Sequence, residues 1–112
     1  MFIVKLRFLI PKGFAALTIF PFIFVKTDEI KNNKVIINHE KIHIRQQIEL
    51  LFVLFFLWYF IEFILLYMRY RDRYKAYRNI VFEKEAYCNE KGFVYLDKRT
   101  TFSFLTYYFY KK

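Results

Sequence analysis

Apolar positions along the chain change their spacing several times, and each spacing predicts a different element. From Phe14 to Val25, β-branched and aromatic residues come after Pro11-Lys12-Gly13, which reads as a strand. Pro21 has no N–H to give a ladder, so this strand is expected at a sheet edge. Lys26 to Lys34 is polar and loop-like, and Asn32 or Asn33 is placed to cap the next helix. Val35 to Met68 reads as helix. Its first half is mixed, whereas from Leu50 to Met68 Glu62 is the only charged residue. Gly and Pro are absent from Phe22 to Lys91, so no local breaker stops a helix there. Tyr74 to Lys91 forms a second helix, with Gly92 as its C-cap. Phe93 to Leu96 suggests a short strand. Thr100 to Tyr110 is an aromatic tail, read as a strand or as a segment for a membrane interface.

A chain of 112 residues is one domain by length. These elements make it α+β, mainly α, with a helical hairpin and a small edge-strand β element. Sixteen Phe and ten Tyr beside two Gly, with a net charge of +9, point to an anionic membrane surface as partner. Nucleic acid is the rival partner for a basic chain. It is not expected here, because the aromatics sit in apolar runs and do not alternate with Lys and Arg, Tyr67 to Arg78 excepted. Cys88 is the lone cysteine, so no internal disulfide forms, and it is expected to be a small buried hydrophobe. Met1 to Pro11 does not read as a signal peptide: its apolar stretch is short, broken by charge and without a small-residue cleavage site.

Chemistry concentrates in His39-Glu40-Lys41-Ile42-His43, which uses both histidines of the chain. Positions four apart on a helix lie on one face, so the two imidazoles can hold one metal ion. The glutamate beside the first can reach a metal-bound water and take its proton. Zinc suits nitrogen ligands and tetrahedral geometry. A third ligand is sought in Phe82-Glu83-Lys84-Glu85-Ala86-Tyr87-Cys88-Asn89-Glu90. There Glu83, Tyr87 and Glu90 share one helical face while Glu85 points elsewhere. Glu83 would complete a His2Glu site with water as fourth ligand, and Glu85 is the weaker candidate.

H-E-x-x-H followed downstream by E-x-x-A resembles the gluzincin metallopeptidases. Within them it is most similar to the membrane-linked branch of CAAX-prenyl endopeptidases, HtpX-like proteases and BlaR-type sensor peptidases. The longer run Ile37 to Gln47, with Ala76 to Ile80 and Phe82 to Tyr87, also resembles small bacterial proteins of this kind. The resemblance implies a minimal zincin-like fold that hydrolyses a peptide or protein substrate with a zinc-bound water. His39, His43 and Glu83 would be the zinc ligands and Glu40 the general base. The branch often carries an acidic residue after E-x-x-A that supports a ligand histidine; here Tyr87 stands there. Tyr77, Tyr87 and Tyr95 are candidates to steady the oxyanion. The edge strand either pairs with extended substrate or is a plain structural edge. The expected location is a bacterial inner membrane or its cytoplasmic face, with the cytoplasm as alternative. Two other readings compete: a small non-enzymatic membrane-associated protein, and an inactive metallopeptidase-like binding module.

Leu50 to Met68 is nineteen residues, close to the length that spans a bilayer. A straight span would put His43 and Glu83 on opposite sides of a roughly 30 Å hydrocarbon layer. Arg71 to Phe82 is too charged to cross back. A shared metal therefore requires the chain to reverse between Phe56 and Asp72, near Phe63 if the arms are equal. Lys26 to Arg45 and Arg69 to Arg78 each hold five Lys and Arg, so charge does not settle an orientation.

Overall fold

The computed structural model describes residues 2–108, with Leu9 described in its backbone alone. Three short strands open the chain: β1 (Phe2–Lys5), β2 (Ala16–Ile19) and β3 (Phe22–Val25). They form one sheet in the order β1-β3-β2, with β1 parallel and β2 antiparallel to β3. The single edge strand expected over Phe14 to Val25 is thus a hairpin. Ile19 pairs with Phe22, and the Phe20-Pro21 peptide between them is cis, as in a type VI turn. Pro21 does not demote a strand; it makes the turn, where a missing N–H matters least. β3 is central, and β2 is an edge beside it.

Six helices come next: α1 (Asp28–Lys31), α2 (Lys34–Glu49), α3 (Val53–Tyr70), α4 (Arg73–Asn79), α5 (Val81–Asn89) and α6 (Tyr95–Lys98). The architecture is therefore α+β and mainly helical. Asn33 caps α2 as its side chain predicts, its Oδ1 accepting the N–H groups of Val35 and Ile36 at 3.0 and 3.1 Å. The segment read as one helix from Val35 to Met68 is two. It breaks at Leu51 and Phe52, which adopt φ of 54° and 66° although neither is glycine. α3 then runs unbroken through Phe63, and the chain reverses at Arg71, whose φ is 56°. The reversal falls inside the expected window but at its far end.

The returning arm also differs from a single helix over Tyr74 to Lys91. Ile80, at ψ 134°, is extended and separates α4 from α5. No local signal marks this break. The Glu62 carboxylate of α3 accepts the Val81 N–H at 3.0 Å and so caps α5 from a neighbouring helix. α5 ends at Asn89 with Glu90 as its cap, and Gly92 lies beyond in a turn outside the left-handed region. Phe93 to Leu96 is not a strand: a turn leads into α6. The aromatic tail forms a 3-10 helix from Ser103 to Tyr108, and its last residues, Phe109 and Tyr110, lie outside the described residues. Cys88 is exposed, contrary to its expected burial, because it sits in the last turn of α5, past the buried stretch that ends at Ala86.

Two apolar clusters hold these parts. Ile23 and Val25 of β3 pack on Ile37 and Ile44 of α2. Phe55, Phe82 and Phe104 meet with Leu50, Ile80 and Val81, and the Phe82 ring lies 4.5 Å from Phe55 and 4.9 Å from Phe104. Phe104, in the stretch read as a strand or membrane segment, is fully buried here.

A buried ion cluster closes the far side. Arg99 Nε donates to Glu85 at 2.5 Å, and its terminal nitrogens donate to both Glu49 oxygens at 2.5 and 3.0 Å. One guanidinium therefore joins the end of α2, the middle of α5 and the segment after α6. Arg99→Met would leave the Glu85 carboxylate buried without its cation. The expected loss is about 3–5 kcal/mol of stability, read as a lower midpoint in urea unfolding.

Candidate metal centre

His39 and His43 sit one turn apart on the buried side of α2, with ring centroids 4.9 Å apart. α5 lies across them and brings in Glu83. The Nε2 atoms of His39 and His43 are each 3.0 Å from the same oxygen, Oε1 of Glu83. All three side chains are buried, and the ligand atoms they offer lie within 4.8 Å of one another. The group could hold a metal ion. With zinc–nitrogen bonds of about 2.0–2.1 Å, a tetrahedral site has ligand atoms about 3.3 Å apart, a small outward adjustment from the two observed nitrogen-to-oxygen distances.

Hydrogen-bond accounting supports that fit. His39 Nδ1 lies 2.8 Å from Glu90 Oε1, and His43 Nδ1 lies 2.8 Å from Gln46 Oε1. The Gln46 amide is fixed in this sense, because its Nε2 donates to Phe82 O at 3.1 Å and to Glu85 Oε1 at 2.9 Å. A neutral imidazole has one N–H, and each ring spends it on this outer partner. Both inner nitrogens then present lone pairs to a carboxylate oxygen. Three acceptors converge, and only a cation, as metal or as added protons, reconciles them. Burial alone would lower the His43 pKa, but Glu83 against it outweighs burial and pushes it up to about 9. Burial acts on Glu83 in the opposite sense, yet the two imidazoles hold its carboxyl well below the usual range. The other Glu83 oxygen accepts the Tyr59 hydroxyl from α3 at 2.7 Å, which leaves Oε1 to the histidines.

Glu40 points to a different wall. One of its oxygens accepts the Thr18 hydroxyl of β2 at 2.5 Å, and the second has no protein partner among the described residues. Gln47, about two turns further along α2, lies against the free edge of the same strand. It donates to Thr18 O at 2.9 Å and accepts from Phe20 N at 2.7 Å. The edge read either as a substrate edge or as a plain structural one is therefore occupied by a side-chain amide from Thr18 O to Phe20 N.

Glu85, the weaker candidate for the third ligand, is elsewhere. Its oxygens are taken by Arg99, by Gln46 and by the Tyr95 hydroxyl at 2.6 Å. That also removes Tyr95 from the oxyanion candidates. Tyr77 and Tyr87 do flank the centre: their hydroxyls meet at 2.8 Å, and the Tyr87 ring packs edge-on against His39 with centroids 4.4 Å apart. Burial, aided by Glu83, pushes the Tyr77 hydroxyl far up, so it stays a neutral donor. The carboxylate missing at Tyr87 is supplied by Glu90, less than a turn further on. Glu90 had a legible signal, since it shares the Glu83 face of the helix. Gln46 had a weaker one, three residues after His43. Tyr59 and Thr18 had none, because they arrive from other elements.

Metal titration with elemental analysis should give one ion per chain, lost in Glu83→Ala and kept in Glu85→Gln. Glu90→Gln should weaken uptake by about 10–100-fold, as removal of a histidine's outer partner does. Comparison with known family models, curated proteins and solved structures finds no match for this chain.

Proposed function

We propose that this chain is a zinc-dependent peptidase in which Glu40 is the general base. One observation carries the reading: two histidine nitrogens converge on one carboxylate oxygen, each ring held by an outer partner at 2.8 Å from its Nδ1, and Glu40 stands next to the first histidine on the same helix. Zinc fits two imidazoles and a carboxylate, a donor set that leaves a fourth position open. When bound, it supplies Lewis acidity, polarising a carbonyl and making water acidic near neutral pH.

The chain's own residues then have defined tasks. Thr18 holds one Glu40 oxygen and leaves the other free to accept a proton from water. Glu40 returns that proton to the leaving amine, so it ends the cycle as it began. Glu90 and Gln46 fix the ring orientations, and Tyr59 fixes the carboxylate. Tyr77 and Tyr87, both beside His39 or Glu83, are the hydroxyls available to a developing oxyanion. The likeness to gluzincins supports the same roles for His39, Glu40, His43 and Glu83.

Glu40→Gln keeps the size and the Thr18 contact but cannot take a proton. It should retain metal and fold and lose hydrolysis of a peptide library by at least about 100-fold. A wild-type protein that binds zinc and cleaves nothing would be an inactive binding module. One that takes up no metal would be a non-enzymatic protein, and the reading would fail.

A further inference from the structure

α3 is the longest helix among the described residues, yet Phe55 is the one buried residue among its eighteen. Its inner face, with Phe55, Tyr59 and Glu62, packs on α5 or reaches the metal centre. Its outer face is different. Val53, Leu57, Phe60, Ile61, Leu65 and Met68 are each 49–67% exposed. At 100° per residue they form one stripe along the whole helix, about 27 Å long at 1.5 Å per residue. No polar side chain interrupts the stripe. An apolar patch of this length marks an interaction surface.

We infer that the outer face of α3 lies flat in one leaflet of an anionic membrane. Charge selects this occupant. Arg69, Arg71 and Arg73 stand at the C-terminal end of the stripe, with Tyr67, Tyr70 and Tyr74 among them. Arginine and tyrosine together suit the headgroup layer, where a ring lies half in acyl chain and a cation meets phosphate. A second copy of this chain would cover the stripe with another +9 molecule and no counter-charge, whereas an anionic leaflet provides it. At the other end Leu51 is 77% exposed on the α2–α3 turn and extends the apolar surface.

α3 is long and apolar enough to cross a bilayer. The tertiary structure opposes crossing. Glu62 caps α5 and Tyr59 binds Glu83, so α4 and α5 travel with α3. A span would carry Arg73, Lys75 and Arg78 of α4 into hydrocarbon. Lying in the plane, the helix buries its outer stripe and keeps these charges in water.

The test uses the full chain with sealed phosphatidylcholine vesicles, with and without phosphatidylglycerol. Wild type should sediment with the anionic vesicles, at least tenfold more than with the neutral ones. Leu57→Glu/Ile61→Glu should lose that binding at least tenfold while keeping its circular dichroism and its metal uptake. Both positions are exposed, so the fold does not depend on them, and metal uptake separates this outcome from failure of the centre. In a Cys88→Ser background, cysteines at Lys34 and Lys91, exposed positions on either side of α3 in the chain, should both react with an impermeant maleimide added outside. Three results would each overturn the inference: binding unchanged in the double variant, labelling of one site with protection of the other, or a lipid-free dimer that the double variant dissociates.

Discussion

Two imidazole nitrogens face one carboxylate oxygen inside this protein, and only a shared cation, a metal ion or added protons, lets the three stay together. All three side chains are buried, so bulk solvent does little to relieve the mismatch. The rest of the structure is arranged so that these atoms meet and stay met. α2 supplies both histidines through a four-residue spacing. Glu83 reaches them only because the chain reverses at Arg71 and α5 returns against α2. That return depends on a cap from another helix, since the Val81 N–H is satisfied by Glu62 and by nothing on its own segment.

Support for the centre spreads outward in a connected path. His43 leans on Gln46, Gln46 on Glu85, and Glu85 on Arg99, which also grips Glu49 at the end of α2. The path begins and ends on the same helix and passes through α5 and the C-terminal segment. Displacing any member strands a buried charge or amide, and such groups are expensive to leave unpaired. A site held this way keeps its geometry whether or not substrate is present. Preorganisation of that kind is what the proposed proton transfer at Glu40 would require.

α3 links this centre to the exterior. Tyr59 on its inner face sets the Glu83 carboxylate, while the opposite face is bare of protein. The same helix thus serves a polar interior and an apolar exterior. Its composition alone cannot tell a core helix from a lipid-facing one, because both are rich in Leu, Ile and Phe. Burial separates the two faces.

Local spacing determined what local spacing can reach. His39, Glu40 and His43 share one helix, so their positions came from the residue count alone, and so did the Asn33 cap. The face shared by Glu83 and Glu90, with Glu85 off it, came from the same periodicity. Helix ends without Gly or Pro did not. Leu51 and Phe52 take left-handed backbone because α3 must pack across α5, and Ile80 is extended because Glu62 stands ready to cap the next helix. The aromatic tail shows the same limit: Thr100 to Tyr110 reads as a strand or a membrane-interface segment, but Phe104 packs against Trp58 and Phe82 from a 3-10 helix. Thr18, Tyr59 and Arg99 come to their partners from 14 to 50 positions away. Periodicity records which residues share a face of one element, and burial against another element decides where that element ends and which charges it must satisfy.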